Sequence, residues 1–150
     1  MFMENKAIKK TEETLAEIYR NAQLALTSIS DILPAVEDET IKNELHSQHE
    51  EYERFSAKAA VLARDMGLEL KEPNPMKKAM MWGSIKMNTM TDNSRSHIAE
   101  MMVQGTVMGI TALRATAGDV PADGNEAIIS LLHEMIHKEE QFEKTWKGYL

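Results

Sequence analysis

The chain has 150 residues, of which 43% are hydrophobic and 27% charged, with a formal net charge of -7 and no cysteine. A chain of this length can bury a substantial core, so we expect one domain over residues 1–150. The absence of cysteine excludes disulfides and thiolate metal sites, and the acidic balance argues against a nucleic-acid-binding protein. No apolar run is long enough for a secretory signal or a membrane span, which favours a cytoplasmic protein.

Apolar residues recur every three to four positions through most of the chain, a spacing typical of amphipathic helices. Pro34 predicts the end of a first helix because it lacks a backbone donor, and Gly67 and Gly118 are placed to end two later ones. Pro73 and Pro75 exclude a helix from Leu68 to Pro75. Four long helices are predicted, at about Asn5 to Leu33, Asp38 to Met66, Asp92 to Ala117 and Asn125 to Lys147, and a short one at about Met76 to Met90.

The long helices match one another in length, at roughly 23 to 29 residues or about 35 to 44 Å. If Met76 to Met90 were the front of the third long helix, that helix would exceed its neighbours by about 22 Å. We therefore interpret residues from about 67 to about 91 as a crossover that contains the short helix. One long connection between two short ones resembles the layout of ferritin-like proteins. The predicted fold class is all-α, a ferritin-like four-helix bundle with a long crossover between helices two and three.

Two polar residues fall inside apolar stripes, where side chains face the interior of such a bundle. The stripe of helix two surrounds Gln48, with Glu51 at its edge, and the stripe of helix four contains Glu139. The stripes consist of Ile41, Leu45, Tyr52, Phe55, Ala59, Leu62 and Met66 on helix two, and of Ile128, Leu132, Met135, Phe142 and Trp146 on helix four. A carboxylate in this position must be paired, hydrogen-bonded, metal-bound or protonated, because burying it bare costs several kcal/mol.

Helix three is apolar around most of its circumference, and its polar residues occupy a sector roughly 60° wide. The sector contains His97, Glu100, Gln104 and Thr111. In one interpretation it is a solvent-exposed strip that continues to Arg114. In the other, it turns inward, toward the polar residues of helices two and four. Gly105 and Gly109 would permit a close helix contact on the opposite side, which favours the second interpretation.

Ferritin-like di-metal proteins use a Glu from each of two helices and Glu-x-x-His from each of the other two. The resemblance is partial: Phe142 stands where helix four needs a histidine after Glu139, and helix two has Gln48-x-x-Glu51. Helix one has two polar side chains near its stripe, Thr11 and Asn21. The resemblance therefore implies a reduced or vestigial iron or manganese site formed by Glu139, Glu100, His97, Glu51 and Gln48. An enzyme with such a site would be a metal-dependent oxidoreductase.

Residues 133–137 read His-Glu-Met-Ile-His, the H-E-x-x-H string of zinc proteases. The His and Glu positions of this string fall opposite the apolar stripe of helix four, and no third ligand is evident. We therefore expect these residues to form a solvated helix face.

Methionine is concentrated in one part of the chain: eight of the twelve lie between Met76 and Met108. Thioethers can hold Cu(I), but methionine more often fills irregular core space or lines an adaptable binding surface. The alternative function is therefore a non-catalytic interaction protein that forms a homo-oligomer through this segment, which includes Met80, Met81 and Trp82. No pattern identifies a small-molecule substrate.

Overall fold

The computed structural model describes residues 2–70, 92–121 and 123–150. Its elements are α1 (Phe2–Ile32), a short 3-10 helix (Leu33–Ala35), α2 (Glu39–Asp65), α3 (Arg95–Asp119) and α4 (Glu126–Lys147). These described ranges contain no β-strand, so the predicted all-α class is confirmed. The short helix predicted at Met76 to Met90 lies outside the described residues.

Side-chain caps fix the starts of α2 and α4 where the sequence predicts them. The Asp38 carboxylate accepts a hydrogen bond from the Ile41 N–H at 3.1 Å, and the Asn125 side chain accepts one from the Ile128 N–H at 3.2 Å. Each cap satisfies a donor that a helix N-terminus leaves without an intrahelical partner. After α2, Gly67 has a φ of 70°, a conformation that glycine adopts without a Cβ clash. These predicted boundaries are confirmed.

α3 differs from its predicted bounds at both ends. It begins at Arg95, three positions after Asp92, whose carboxylate accepts a hydrogen bond from the Ser94 N–H at 2.9 Å ahead of the helix. It then continues through Gly118, where a helix end was expected, because a glycine within a helix costs only about 1 kcal/mol. The helix ends before Val120, which is extended, the conformation that the following Pro121 favours.

All four helices contribute to one hydrophobic core. The predicted stripes of α2 and α4 supply much of it, and among their apolar members only Leu62 is half-buried and only Met66 is exposed. The prediction was wrong for Met66, which is the C-cap residue of α2 and lies past its last regular turn. The core includes the large, fully buried side chains of Trp146, Phe55, Ile18 and Ile98.

α1 and α2 pack in opposite directions. Gln23 Nε2 donates to Ser56 Oγ at 2.7 Å, and farther along α1 the Ser30 hydroxyl lies 3.4 Å from His49 Nε2. Because the later residue of α1 contacts the earlier residue of α2, the two helices are antiparallel.

The start of α3 lies beside the start of α2. Arg95 Nε donates to Asp38 Oδ2 at 2.8 Å, and the Asn93 side chain donates to the Ala35 carbonyl at 3.0 Å. The N-terminal ends of α2 and α3 therefore share one end of the molecule, and α3 is antiparallel to α1.

Candidate functional site

One carboxyl group is buried where the four helices meet. The Glu139 side chain of α4 is 2% exposed. Its Oε1 accepts a hydrogen bond from Asn21 Nδ2 of α1 at 2.5 Å, and its Oε2 accepts one from the Tyr52 hydroxyl of α2 at 2.9 Å. Met135 and Phe142 are buried one turn before and one turn after Glu139. Because residues at this spacing share one face of a helix, Glu139 lies on the inward face of α4. The interior position predicted for Glu139 is confirmed.

α3 approaches this carboxyl through a glycine. A Cβ atom at Gly109 would lie 2.7 Å from Glu139 Oε2 and 2.8 Å from Asn21 Oδ1, closer than real Cβ atoms come to other atoms. The missing side chain of Gly109 therefore provides the space that the two polar side chains occupy. We call Asn21, Tyr52, Gly109 and Glu139, one residue from each helix, the Glu139 site.

A second buried polar pair lies between α2 and α4. Trp146 Nε1 donates to Gln48 Oε1 at 3.0 Å, and Gln48 Nε2 donates to Glu44 Oε1 at 2.9 Å. The indole N–H and the amide oxygen thus have a hydrogen-bond partner in the core, where Gln48 is 1% exposed. The predicted burial of Gln48 is confirmed, and its amide is engaged by Trp146 and Glu44.

Burial controls the protonation of the Glu139 site. It raises the pKa of Glu139 to about 7, because desolvation disfavours the charged form, while the hydrogen bonds from Tyr52 and Asn21 act in the opposite direction. Burial and the neighbouring Glu139 charge raise the pKa of the Tyr52 hydroxyl well above its usual value. Tyr52 therefore stays a protonated donor, and Glu139 can exchange a proton near neutral pH.

The other predicted ligands are not gathered at the Glu139 site. Glu100 is exposed and stands nine residues before Gly109, which at 100° per residue places it on the opposite side of α3. The Glu51 carboxylate accepts hydrogen bonds from Arg54 at 3.2 and 2.9 Å. His97 is half-buried, with Nδ1 3.9 Å from the Asp92 carboxylate. The interior cluster predicted for these residues is not formed.

The polar sector of α3 matches the solvent-exposed interpretation. Glu100, Gln104 and Thr111 of this sector are exposed, as is Arg114, whereas His97 near the start of the helix is half-buried. The inward orientation that the two glycines favoured is wrong, because the Gly109 side of the helix packs against the core.

The structure also adds members that the sequence reasoning did not assign to a site. Tyr52 belongs to the predicted apolar stripe of α2, and Asn21 is one of two polar residues near the stripe of α1. The hydroxyl of a tyrosine placed inside a stripe is a signal that could have suggested a polar partner in the core.

The H-E-x-x-H residues lie on the surface, as expected. His133, Glu134 and His137 are exposed. Glu134 accepts a hydrogen bond from Arg54 Nη1 at 2.8 Å and lies 3.6 Å from Lys58 Nζ, and the bond from Arg54 is the main reason that its pKa is lowered. Among the side chains described at residues 9–70, 92–121 and 123–150, no three His, Asp or Glu side chains are grouped so that they could hold a metal ion.

Comparison with protein-family models, curated proteins and solved structures found no match to this chain. None of the described helices has an apolar stretch long enough to cross a membrane. The geometry of the Glu139 site is therefore the basis for a functional proposal.

Proposed function

We propose that this chain is a non-catalytic ferritin-like four-helix bundle in which a hydrogen-bonded carboxyl takes the place of the metal centre. The Glu139 site carries the proposal, since a 2% exposed carboxyl receives hydrogen bonds from α1 and α2 and is closed by a glycine of α3. Ferritin-like proteins build their metal centres in the same part of the bundle, from side chains that project inward from all four helices. In this proposal the site has a structural role, because it fixes how the helices pack.

The helix directions support the ferritin-like assignment. The Asp38–Arg95 ion pair joins the N-terminal ends of α2 and α3. The C-terminal end of α2 lies about 40 Å away, since the helix has 27 residues with a rise of about 1.5 Å each. These end points are the ones that the long crossover of ferritin-like bundles connects, and this correspondence supports the proposal. The proposal includes this crossover, at about residues 67–91.

The charge and the hydrogen bonds of the Glu139 site favour the vestigial form of the predicted iron or manganese site. Both carboxylate oxygens of Glu139 already accept hydrogen bonds, and Tyr52 keeps its proton, so the site offers a single negative charge. A divalent iron or manganese ion would bring a positive charge that this set does not neutralise, which is costly in a low-dielectric core. The residues present therefore do not fit such an ion.

A metal-content measurement on matched variants tests the proposal. The wild type, Glu139→Gln and Glu134→Gln would be purified without a His-tag or chelator. Each would be incubated with Mn²⁺ or, without oxygen, Fe²⁺, and desalted for elemental analysis. Glu134 is the control because it is an exposed glutamate on the same helix. We expect the three proteins to retain equal, small amounts of metal.

The contrary outcome is equally specific. If the wild type and Glu134→Gln each retain about one ion per chain and Glu139→Gln retains none, the site binds metal and the vestigial assignment is wrong. Circular dichroism of the three proteins shows whether a loss of metal reflects a loss of helix. Glutamine keeps the shape of the side chain, so the fold should survive this substitution.

A further inference from the structure

The solvent-facing side of α3 is unusually poor in charge. No charged residue occurs from Met101 to Leu113, although the chain carries a net charge of -7. Val107 is 39% exposed and Met108 is 50% exposed, and Thr111 donates its hydroxyl to the Val107 carbonyl at 2.8 Å. We define the outer face of α3 by its exposed members Glu100, Gln104, Val107, Met108, Thr111 and Arg114. At the middle of this face, Val107 and Met108 expose apolar surface to water.

Charges of opposite sign bound this face symmetrically. Glu100 and Arg114 each lie seven residues from Val107. Seven residues fall about 20° short of two full turns, so the three side chains form one line, with about 10.5 Å of helix between successive members. Both charged side chains are exposed, and Arg114 also pairs with Glu140 of α4. A guanidinium has five N–H donors, so it can bind a second carboxylate.

This symmetry fits a second copy of the same chain. A two-fold axis at Val107 would run two α3 helices antiparallel and place Glu100 of each copy opposite Arg114 of the other, giving two ion pairs. A parallel arrangement would place Glu100 against Glu100. Each copy is acidic overall, but the charges of Glu100 and Arg114 cancel on this face, so the face itself adds no net like-charge repulsion between two copies.

We infer that the outer face of α3 is a self-association surface, which pairs antiparallel with the same face of a second copy around a two-fold axis near Val107. A contact along one helix is smaller than a standard interface, so the dimer forms weakly, at high protein concentration. Met108 of this face belongs to the Met-rich part of the chain, whereas Met80, Met81 and Trp82 lie outside the described residues, so their part in self-association stays a prediction. The inference does not depend on the proposed role of the Glu139 site.

A charge exchange tests the pairing directly. Glu100→Arg and Arg114→Glu would be made singly and together in a Glu140→Gln background, which removes the intrachain partner of Arg114. Sedimentation equilibrium up to about 500 µM would give each dimer dissociation constant. Each single variant creates like-charge contacts and should weaken the dimer about tenfold or more, whereas the double variant should return to the background value. A monomeric wild type, or a double variant as weak as the singles, would overturn the inference.

Disulfide formation locates the axis independently. The chain has no cysteine, so a single Val107→Cys places one thiol per copy near the predicted axis. Val61→Cys is the matched control, because Val61 is an exposed valine on α2, at 46% exposure. Under mild oxidation Val107→Cys should cross-link at least about tenfold faster than Val61→Cys. Equal rates, or faster cross-linking at Val61, would place the contact elsewhere and refute the α3 surface.

Discussion

A carboxyl at the centre of a helical core needs donors, and Glu139 has one from each of two neighbouring helices. Asn21 and Tyr52 each contact a different carboxylate oxygen, so the side chain links α1, α2 and α4. Deleting the carboxyl would leave both donors without this partner, and a buried unsatisfied group costs about 1 to 3 kcal/mol. Apolar packing by itself tolerates rearrangement, whereas the hydrogen bonds of the Glu139 site form only when α1, α2 and α4 are in one relative position.

We expect Glu139 to make the stability of the protein depend on pH. Its pKa is about 7 in the folded state against an ordinary value of 4.5, so the folded protein holds this proton more tightly than the unfolded chain. The resulting stabilisation is fully present below about pH 4.5, decreases as the pH rises, and is lost above about pH 7. Urea unfolding should show the stability of the wild type relative to Glu139→Gln falling by about 2 kcal/mol between about pH 5 and about pH 8. A difference that does not change with pH would contradict the assignment.

The sequence could predict the burial of Glu139 but not its partners. Burial follows from periodicity along one helix, which α4 shows clearly. Partners depend on how the helices are rotated and shifted against one another, and periodicity does not contain that information. Glu100 illustrates the problem, because α3 is apolar nearly all round and either side could have faced inward.

Two glycines of α3 show how the same residue type can have different effects within one helix. Gly118 has no atom within 4 Å of an added Cβ, whereas at Gly109 the added atom would strike Glu139 and Asn21. The first position is exposed and the second is buried. Helix propensity therefore decides the effect of alanine at Gly118, and packing decides it at Gly109.

Alanine substitutions at these positions should change stability in opposite directions. Gly118→Ala should raise the free energy of unfolding by about 0.5 kcal/mol, because alanine is the better helix former and meets no neighbour. Gly109→Ala gains the same propensity but must displace the carboxyl, so we expect a net loss of about 1 to 2 kcal/mol. Urea denaturation at one pH measures both. Equal stabilisation by the two substitutions would show that α3 does not contact the Glu139 site closely.

Helix boundaries could be predicted where one local interaction decides them. Asp38 and Asn125 are caps, and Gly67 has positive φ, so in each case the residue type specifies the backbone. The end of α3 was misplaced because Gly118 can either end a helix or remain inside one. Which of these occurs depends on the residues that follow, here an extended residue and a proline.

At the scale of the whole molecule, two contacts show how the starts of α2 and α3 are placed relative to each other. The pair of Asp38 with Arg95 and the hydrogen bond from Asn93 to Ala35 place the starts of α2 and α3 together. The sequence predicts the same arrangement from matched helix lengths together with a connection, at about residues 67–91, long enough to return along the bundle. Lengths alone, however, do not say which helix ends meet, and that requires side chains such as Asp38, which serves both as a cap and as an ion-pair partner.

Two distances between spin labels test this arrangement. Because the chain has no cysteine, labels can be attached to Ser96→Cys paired with either Asp65→Cys or Glu37→Cys, all at exposed positions. Asp65 ends α2, so the first pair should be separated by roughly the length of that helix, about 40 Å. Glu37 precedes the cap of α2, next to the start of α3, so the second pair should lie within about 20 Å, which allows for the reach of the labels.

Double electron–electron resonance would measure both distances, with labelled protein diluted in unlabelled protein so that contacts between copies do not contribute. If the first distance were the shorter one, α3 would begin beside the end of α2, and the proposed ferritin-like crossover would be ruled out.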